Sequence, residues 1–142
     1  MTTEKLIVRD QIEINASKEK VWEVLTNPVF IKQWDDIPES YAGGNLKIGS
    51  VIEWEGHSKL TVTQFDKSNS LTLKMYLPKV NLAPTEYDVK YHYTLTAVNG
   101  LTILNFEIGD FSQLPKAKDY YDATLEWVQT AKLKIRELAE NN

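Results

Sequence analysis

Residues 12–34 constrain the fold more than any other stretch of this chain. Ile12 and Ile14 close an alternating segment, with Leu6, Val8, Ile12 and Ile14 on one face and Arg9, Gln11 and Glu13 on the other. That pattern predicts a strand over 6–14, buried on one side. Ser17 is a suitable N-cap, and Glu19 sits where a helix N-terminus favours an anion. Val21, Trp22, Val24 and Leu25 give the helix its apolar side, with Trp22 in the core. Asn27-Pro28 ends that helix and opens another, because the residue before proline avoids the helical region while proline suits a first helical position. Ile31 and Trp34 face inward from this short second helix. A strand, two short helices and then more strands describe a sheet that folds around a cavity.

The remaining strands follow from alternation and turn chemistry. Pro38, Gly43-Gly44, Asn45 and Gly49 mark turns around a short strand near Tyr41. Strands are predicted over 51–55, 59–65 and 71–77, joined by turns at Gly56-His57-Ser58 and at Asp66-Lys67-Ser68-Asn69. Pro78 to Pro84 reads as a loop with an apolar middle. Tyr87, Val89, Tyr91, Tyr93 and Leu95 alternate over one long strand, Asn99-Gly100 is a two-residue hairpin signal, and 101–108 returns as the last strand. From about Lys116 the period becomes helical. Ala117, Tyr121, Thr124, Val128, Ala131, Ile135 and Leu138 share a face widened by Leu125. A helix of some 24 residues is about 36 Å long. Short connections favour an antiparallel sheet, so the fold class is α+β. About six to seven curved strands wrap around the C-terminal helix, with two short helices after strand 1. The space left between them is where an apolar ligand fits.

Composition narrows the function. One domain, 1–142, is expected at this length, large enough to bury roughly 68–70% of its unfolded surface. Sixteen Lys and Arg against 20 Asp and Glu give a net charge of −4, which argues against nucleic acid as a main partner. With no cysteine, thiol catalysis, disulfides and thiolate metal sites are excluded. No apolar run approaches the roughly 20 residues of a membrane span, and no signal pattern opens the chain, so a cytoplasmic protein is expected.

The candidate chemistry is sparse. His57 and His92 are 35 positions apart, and neither spacing nor neighbours make a zinc site, so no metal is expected. His57 reads as a surface turn residue, and His92, opposite in phase to Tyr91 and Tyr93, as solvated. Asp10 shares the inward phase of Val8 and Ile12. A carboxylate there either lines the cavity with a raised pKa, as acid, base or ligand anchor, or marks a bulge or is held by a backbone amide or tyrosine hydroxyl. Glu53 and Glu107 also alternate with apolar residues, but no spacing pairs two carboxylates for acid–base work. Asp35-Asp36 reads as solvated loop. Gly43-Gly44 lacks the Lys-Ser/Thr of a phosphate loop, and no cofactor is expected. Four Trp and seven Tyr are the stronger signal. Trp34, Trp54, Tyr76, Tyr87, Tyr91, Tyr93, Phe106, Tyr121 and Trp127, with Val128 and Asp10, are the candidate lining of an amphipathic cavity; the other reading is that the aromatics fill the core.

Five motifs together resemble the START/Bet v 1-like helix-grip superfamily, and within it the bacterial branch similar to activators of the Hsp90 ATPase. They are Ile12-x-Ile14-x-Ala16 with Val21-Trp22-x-x-Leu25-Thr26-Asn27-Pro28 and Trp34; Gly43-Gly44 with Gly49; and Leu60-x-Val62-Thr63-x-Phe65-Asp66 with Leu71-x-Leu73. Tyr91-x-Tyr93-x-Leu95 with Gly100-x-Thr102-x-Leu104, and Trp127 with Leu133, complete the set. The resemblance implies a curved sheet gripping the last helix over a cavity. It implies a small hydrophobic molecule as partner, since related proteins bind lipids, hormones or polyketides and some catalyse cyclisation or dehydration. It also implies a chaperone contact, although the eukaryotic activators carry a separate N-terminal domain for which this chain has no room. A monomer or homodimer is expected.

Overall fold

The computed structural model describes residues 5–35, 37–38, 41, 43–54, 57–78, 80, 82 and 86–141. The sequence readings that fall on residues 1–4, Asp36, Glu55, Gly56, Lys79, Asn81, Ala83 and Pro84 lie outside them. The chain runs β1 (Val8–Ile14), α1 (Lys18–Thr26), α2 (Pro28–Trp34), β2 (Val51–Trp54), β3 (Ser58–Asp66) and β4 (Ser70–Tyr76). It continues with β5 (Lys90–Val98), β6 (Leu101–Gly109), a 3-10 turn at Phe111–Gln113 and α3 (Ala117–Glu140).

The local chemistry of the first third forms as the sequence requires. The Ser17 side chain accepts a hydrogen bond from the Lys20 amide at 3.1 Å. Asn27 ends α1 and caps α2, its side chain accepting from the Val29 amide at 3.0 Å with Pro28 in the first turn. The Trp34 indole N–H donates to the Val24 carbonyl at 2.8 Å, which locks α2 against α1 and pays the hydrogen-bonding debt of a buried indole. Trp22 packs edge-on against Phe65 of β3 with ring centres 5.1 Å apart.

Six antiparallel strands form one sheet in the order β1-β6-β5-β4-β3-β2. The two helices after β1 carry the chain from one edge of the sheet to the other. A bulge at Thr63, where the β3–β4 register shifts between Val62 and Gln64, adds local twist and bends the sheet. Its concave face carries Val62, Leu71, Leu73, Tyr93, Leu95, Leu104, Phe106 and Ile108, all buried. Against that face α3 buries Thr124, Val128, Ala131, Ile135 and Ala139. Polar ties hold the helix to the edge strand. Lys132 Nζ donates to Asp10 Oδ2 at 2.9 Å, and Glu140 Oε2 accepts from the Asn15 amide at 2.8 Å.

Three expectations change. Tyr41 is not in a strand among the described residues, and its neighbours Glu39, Ser40 and Ala42 lie outside them; the Tyr41 hydroxyl donates to the Gly44 carbonyl at 2.8 Å. The long strand starts at Lys90 rather than Tyr87. Tyr87 is a buried loop anchor whose hydroxyl oxygen accepts from the Leu77 amide at 2.8 Å. The buried position near the end of α3 is Ala139, with Leu138 only half-buried. The Asn99-Gly100 hairpin forms with both residues at positive φ, 51° and 80°.

Gly109, at φ +147°, holds the exit of β6 close to the first described residues: a Cβ there would meet the Leu6 carbonyl oxygen at 2.8 Å. Gly100 has positive φ but open space around it. Urea denaturation should therefore show Gly109→Ala destabilised by about 2 kcal/mol or more and Gly100→Ala by only about 1 kcal/mol. Equal effects would contradict a close approach at Gly109.

Candidate functional site

A hollow of about 460 Å³ opens between the sheet and the first half of α3. Its apolar walls are Trp54, Leu60, Met75, Tyr91 and Trp127. Ala123 and Thr124 of α3 form its helical edge, and Asp35, His57 and Ser58 supply polar groups at its border. Beneath it a void of only about 30 Å³, roughly one water, is bounded by Trp34, Tyr93, Leu73 and their neighbours and shares Asp35, Leu60 and Tyr91 with the hollow. Among the described residues, most of the open space here lies in the hollow, nearer the surface than this small void.

Helical geometry explains which side of α3 faces the hollow. At about 100° per residue, Val128, Ala131, Ile135 and Ala139 all fall within about 60° of Thr124. Trp127 and Ala123 lie on one flank of this stripe, and Tyr121 and Lys132 on the other. Trp127 is held between Trp34, with ring centres 6.2 Å apart, and Tyr91, 5.8 Å away and edge-on. The hollow lies on the Trp127 flank.

This geometry sorts the residues singled out from the sequence. Trp54 and Tyr91 line the hollow. Trp34 and Tyr93 bound the small void below it. Phe106 and Val128 are core: Phe106 packs edge-on against Tyr93 at 5.5 Å, and Val128 has no exposed surface. Tyr121 is half-buried on the opposite flank of α3, outside the lining. Tyr76 is corrected by strand phase: Met75 points into the hollow, so Tyr76 points out, where Lys59 Nζ lies 5.4 Å from its ring centre.

Asp10 is corrected as well. It has the inward phase, but β1 is an edge strand and the carboxylate meets the flank of α3 turned away from Trp127. It accepts from Lys132 Nζ at 2.9 Å, Gln129 Nε2 at 2.8 Å and the Gln11 amide at 2.7 Å. Burial pushes its pKa up, but these donors and the Lys132 charge outweigh that and hold it below the usual carboxylate range. It is a structural anion rather than a cavity acid. Glu53 and Glu107 are exposed, and Glu107 pairs with Arg9 at 3.3 Å.

Trp127, one of the candidate aromatics, also lines the hollow. Sequence reasoning missed Asp35, His57, Ser58, Leu60, Met75, Ala123 and Thr124 as lining. Leu60 and Met75 were available from strand phase, and Ala123 from its four-residue spacing to Trp127 on α3. Asp35 was read as solvated, but half-burial at the end of α2 places it at the hollow. Burial raises the pKa of Tyr91 and Tyr93 above the ordinary phenol value, and the nearby Asp35 charge adds to the shift. Both stay protonated and available as neutral donors. His57 is exposed as expected but stands at the hollow's border. His92 is half-buried rather than solvated, its Nδ1 2.6 Å from Thr72 Oγ1 on the outer sheet face. Among the described residues no group of three His, Cys, Asp or Glu side chains comes together to hold a metal. No helix among them is long and apolar enough to cross a membrane.

A curved antiparallel sheet gripping one long helix over an aromatic hollow defines a helix-grip domain. A family model described as activator of Hsp90 ATPase homolog 1-like protein matches residues 15–140, and the chain belongs to that family. Among solved structures, it is similar to the Aha1 dimer from Colwellia psychrerythraea, at 21% identity and TM-score 0.72, covering 94% of this chain and 96% of that one. It is similar to ChR145 from Cytophaga hutchinsonii, at 26% identity and TM-score 0.71, covering 99% and 97%. It also resembles DynU16, a protein in the dynemicin biosynthetic locus, at 15% identity and TM-score 0.69, covering 94% of this chain and 47% of that one. Among curated proteins, none matches the chain.

The Asp10–Lys132 pair sets a pH dependence. The unfolded chain takes up protons near pH 3.9, whereas folded Asp10 resists protonation, so its contribution is present above that pH and is lost as pH falls through the folded value. Thermal melts of Asp10→Asn should show a loss of about 1–2 kcal/mol at pH 7 that shrinks towards pH 2. A variant as stable as the parent at pH 7 would contradict the anchoring role.

Proposed function

We propose that the protein binds a small hydrophobic or amphipathic molecule in the hollow between the sheet and α3. The observation that carries this reading is the hollow itself: about 460 Å³, walled by Trp54, Tyr91, Trp127, Leu60 and Met75 and bordered by a few polar groups. Its volume and its mixture of flat apolar walls with sparse polar tips suit a ligand of drug-like size. The likeness to DynU16, from a locus named for the biosynthesis of dynemicin, supports an organic ligand of that general character. A cyclase or dehydratase working through Asp10 loses its acid, because that carboxylate is bound to Lys132 on the other flank of α3.

Ala123 is exposed at the edge of the hollow, so a large side chain there blocks the space without disturbing the core. In a thermal-shift screen of apolar and amphipathic molecules checked by native mass spectrometry, ligands present at 100 times Kd should stabilise the protein by about 2.7 kcal/mol, raising Tm by several degrees. Ala123→Trp should fold normally and lose those shifts. No binder in a broad screen, or full binding by Ala123→Trp, would overturn the proposal.

The family match favours a second reading, contact with an Hsp90-type chaperone. Under it the protein raises the ATPase rate of a bacterial Hsp90 at least severalfold; an unchanged rate at saturating protein removes it.

A further inference from the structure

A second groove, of about 380 Å³, runs between α2 and α3 on the other side of Trp127. It shares Asp35 and Trp127 with the hollow, so the two spaces flank the same indole. Trp34 and Ala131 are its buried floor, and Lys32 and Lys134 line it from the two facing helices. On α3 the spacing Ala123, Trp127, Thr130 and Lys134 keeps one flank facing both spaces, since four- and three-residue steps return to the same side of a helix. Like most described lysines, Lys32 and Lys134 have no salt bridge among the described residues; what sets them apart is that both line one groove. With Asp35 counted, the groove carries a local charge of +1 (two lysines less one carboxylate) on a chain of net charge −4. Two cations facing one cleft floored by Trp34 and Ala131, on a chain of net negative charge, mark a place where a negative group gains and a neutral one does not.

Resting on the ligand-binding reading above, we infer that the ligand is an organic anion: an apolar, flat body in the hollow and a carboxylate or sulfonate beyond Trp127, held by Lys32 and Lys134. Tyr91, with its hydroxyl kept protonated, remains a neutral donor on the body's side. Because both lysines are exposed, the attraction is screened by salt, and affinity for the anion falls as ionic strength rises.

Two fluorescent probes of one skeleton test this directly. 1-Anilinonaphthalene-8-sulfonate carries the anion, and N-phenyl-1-naphthylamine lacks it. Both should bind the parent protein one to one and both should be lost in Ala123→Trp. In the Lys32→Gln/Lys134→Gln double variant, which alters only exposed side chains, affinity for the sulfonate should fall at least about fivefold while the neutral amine stays within about twofold. Raising salt should weaken only the sulfonate. If the neutral amine binds and the sulfonate does not, or if the double variant and salt leave the sulfonate unaffected or weaken both probes alike, the anion assignment is wrong and the hollow stands. If neither probe binds the parent protein, the anion assignment falls, while the ligand-binding reading is decided separately by the broad thermal-shift screen.

Discussion

The burial of one stripe of α3 in the concave face of a bent sheet is the constraint on which everything else depends. Val128 and Ile135 have no exposed surface, and the residues facing them from β5 and β6 are equally covered. At about 25 cal/mol per Å² of apolar area removed from water, this contact is the largest single source of stability available to the helix. The bulge at Thr63 matters because a flat sheet could not close on a single rod. Where the sheet curves away from the first half of α3, contact is lost and the hollow opens. The cavity is therefore a consequence of packing a straight helix on a curved surface.

The polar ties around the helix fix its position. Asp10 and Lys132 hold α3 to the edge strand, and Glu140 meets the backbone at the end of β1. These sit on the flank away from Trp127, leaving the other flank free of ion pairs with the sheet among the described residues. That asymmetry keeps structural charge apart from the hollow. It also leaves Lys32 and Lys134 available to a ligand.

The fold was legible because its signals are local and repeated. Ser17 and Asn27-Pro28 set two helices by capping, alternation set five of the six strands closely, and Asn99-Gly100 set a hairpin. The site was legible only in part, since phase along a strand tells inward from outward but not which part of the inward face stays uncovered. Phe106 and Val128 are inward and filled; Met75 and Trp54 are inward or marginal and open. Asp10 had the right phase but the wrong place in the sheet, because edge position depends on strand order. Tyr76 was misplaced by counting aromatics rather than phase, and Asp35 because a loop carboxylate beside a tryptophan gives no sign of the tyrosines it will face.

The most direct measurement is nuclear magnetic resonance of the protein with bound N-phenyl-1-naphthylamine, recording intermolecular contacts to side-chain methyl groups. The account predicts contacts to the Met75 ε-methyl, the Leu60 methyls and the Ala123 methyl, and none to Ile103 on the outer sheet face. Contacts confined to residues outside the hollow would contradict it.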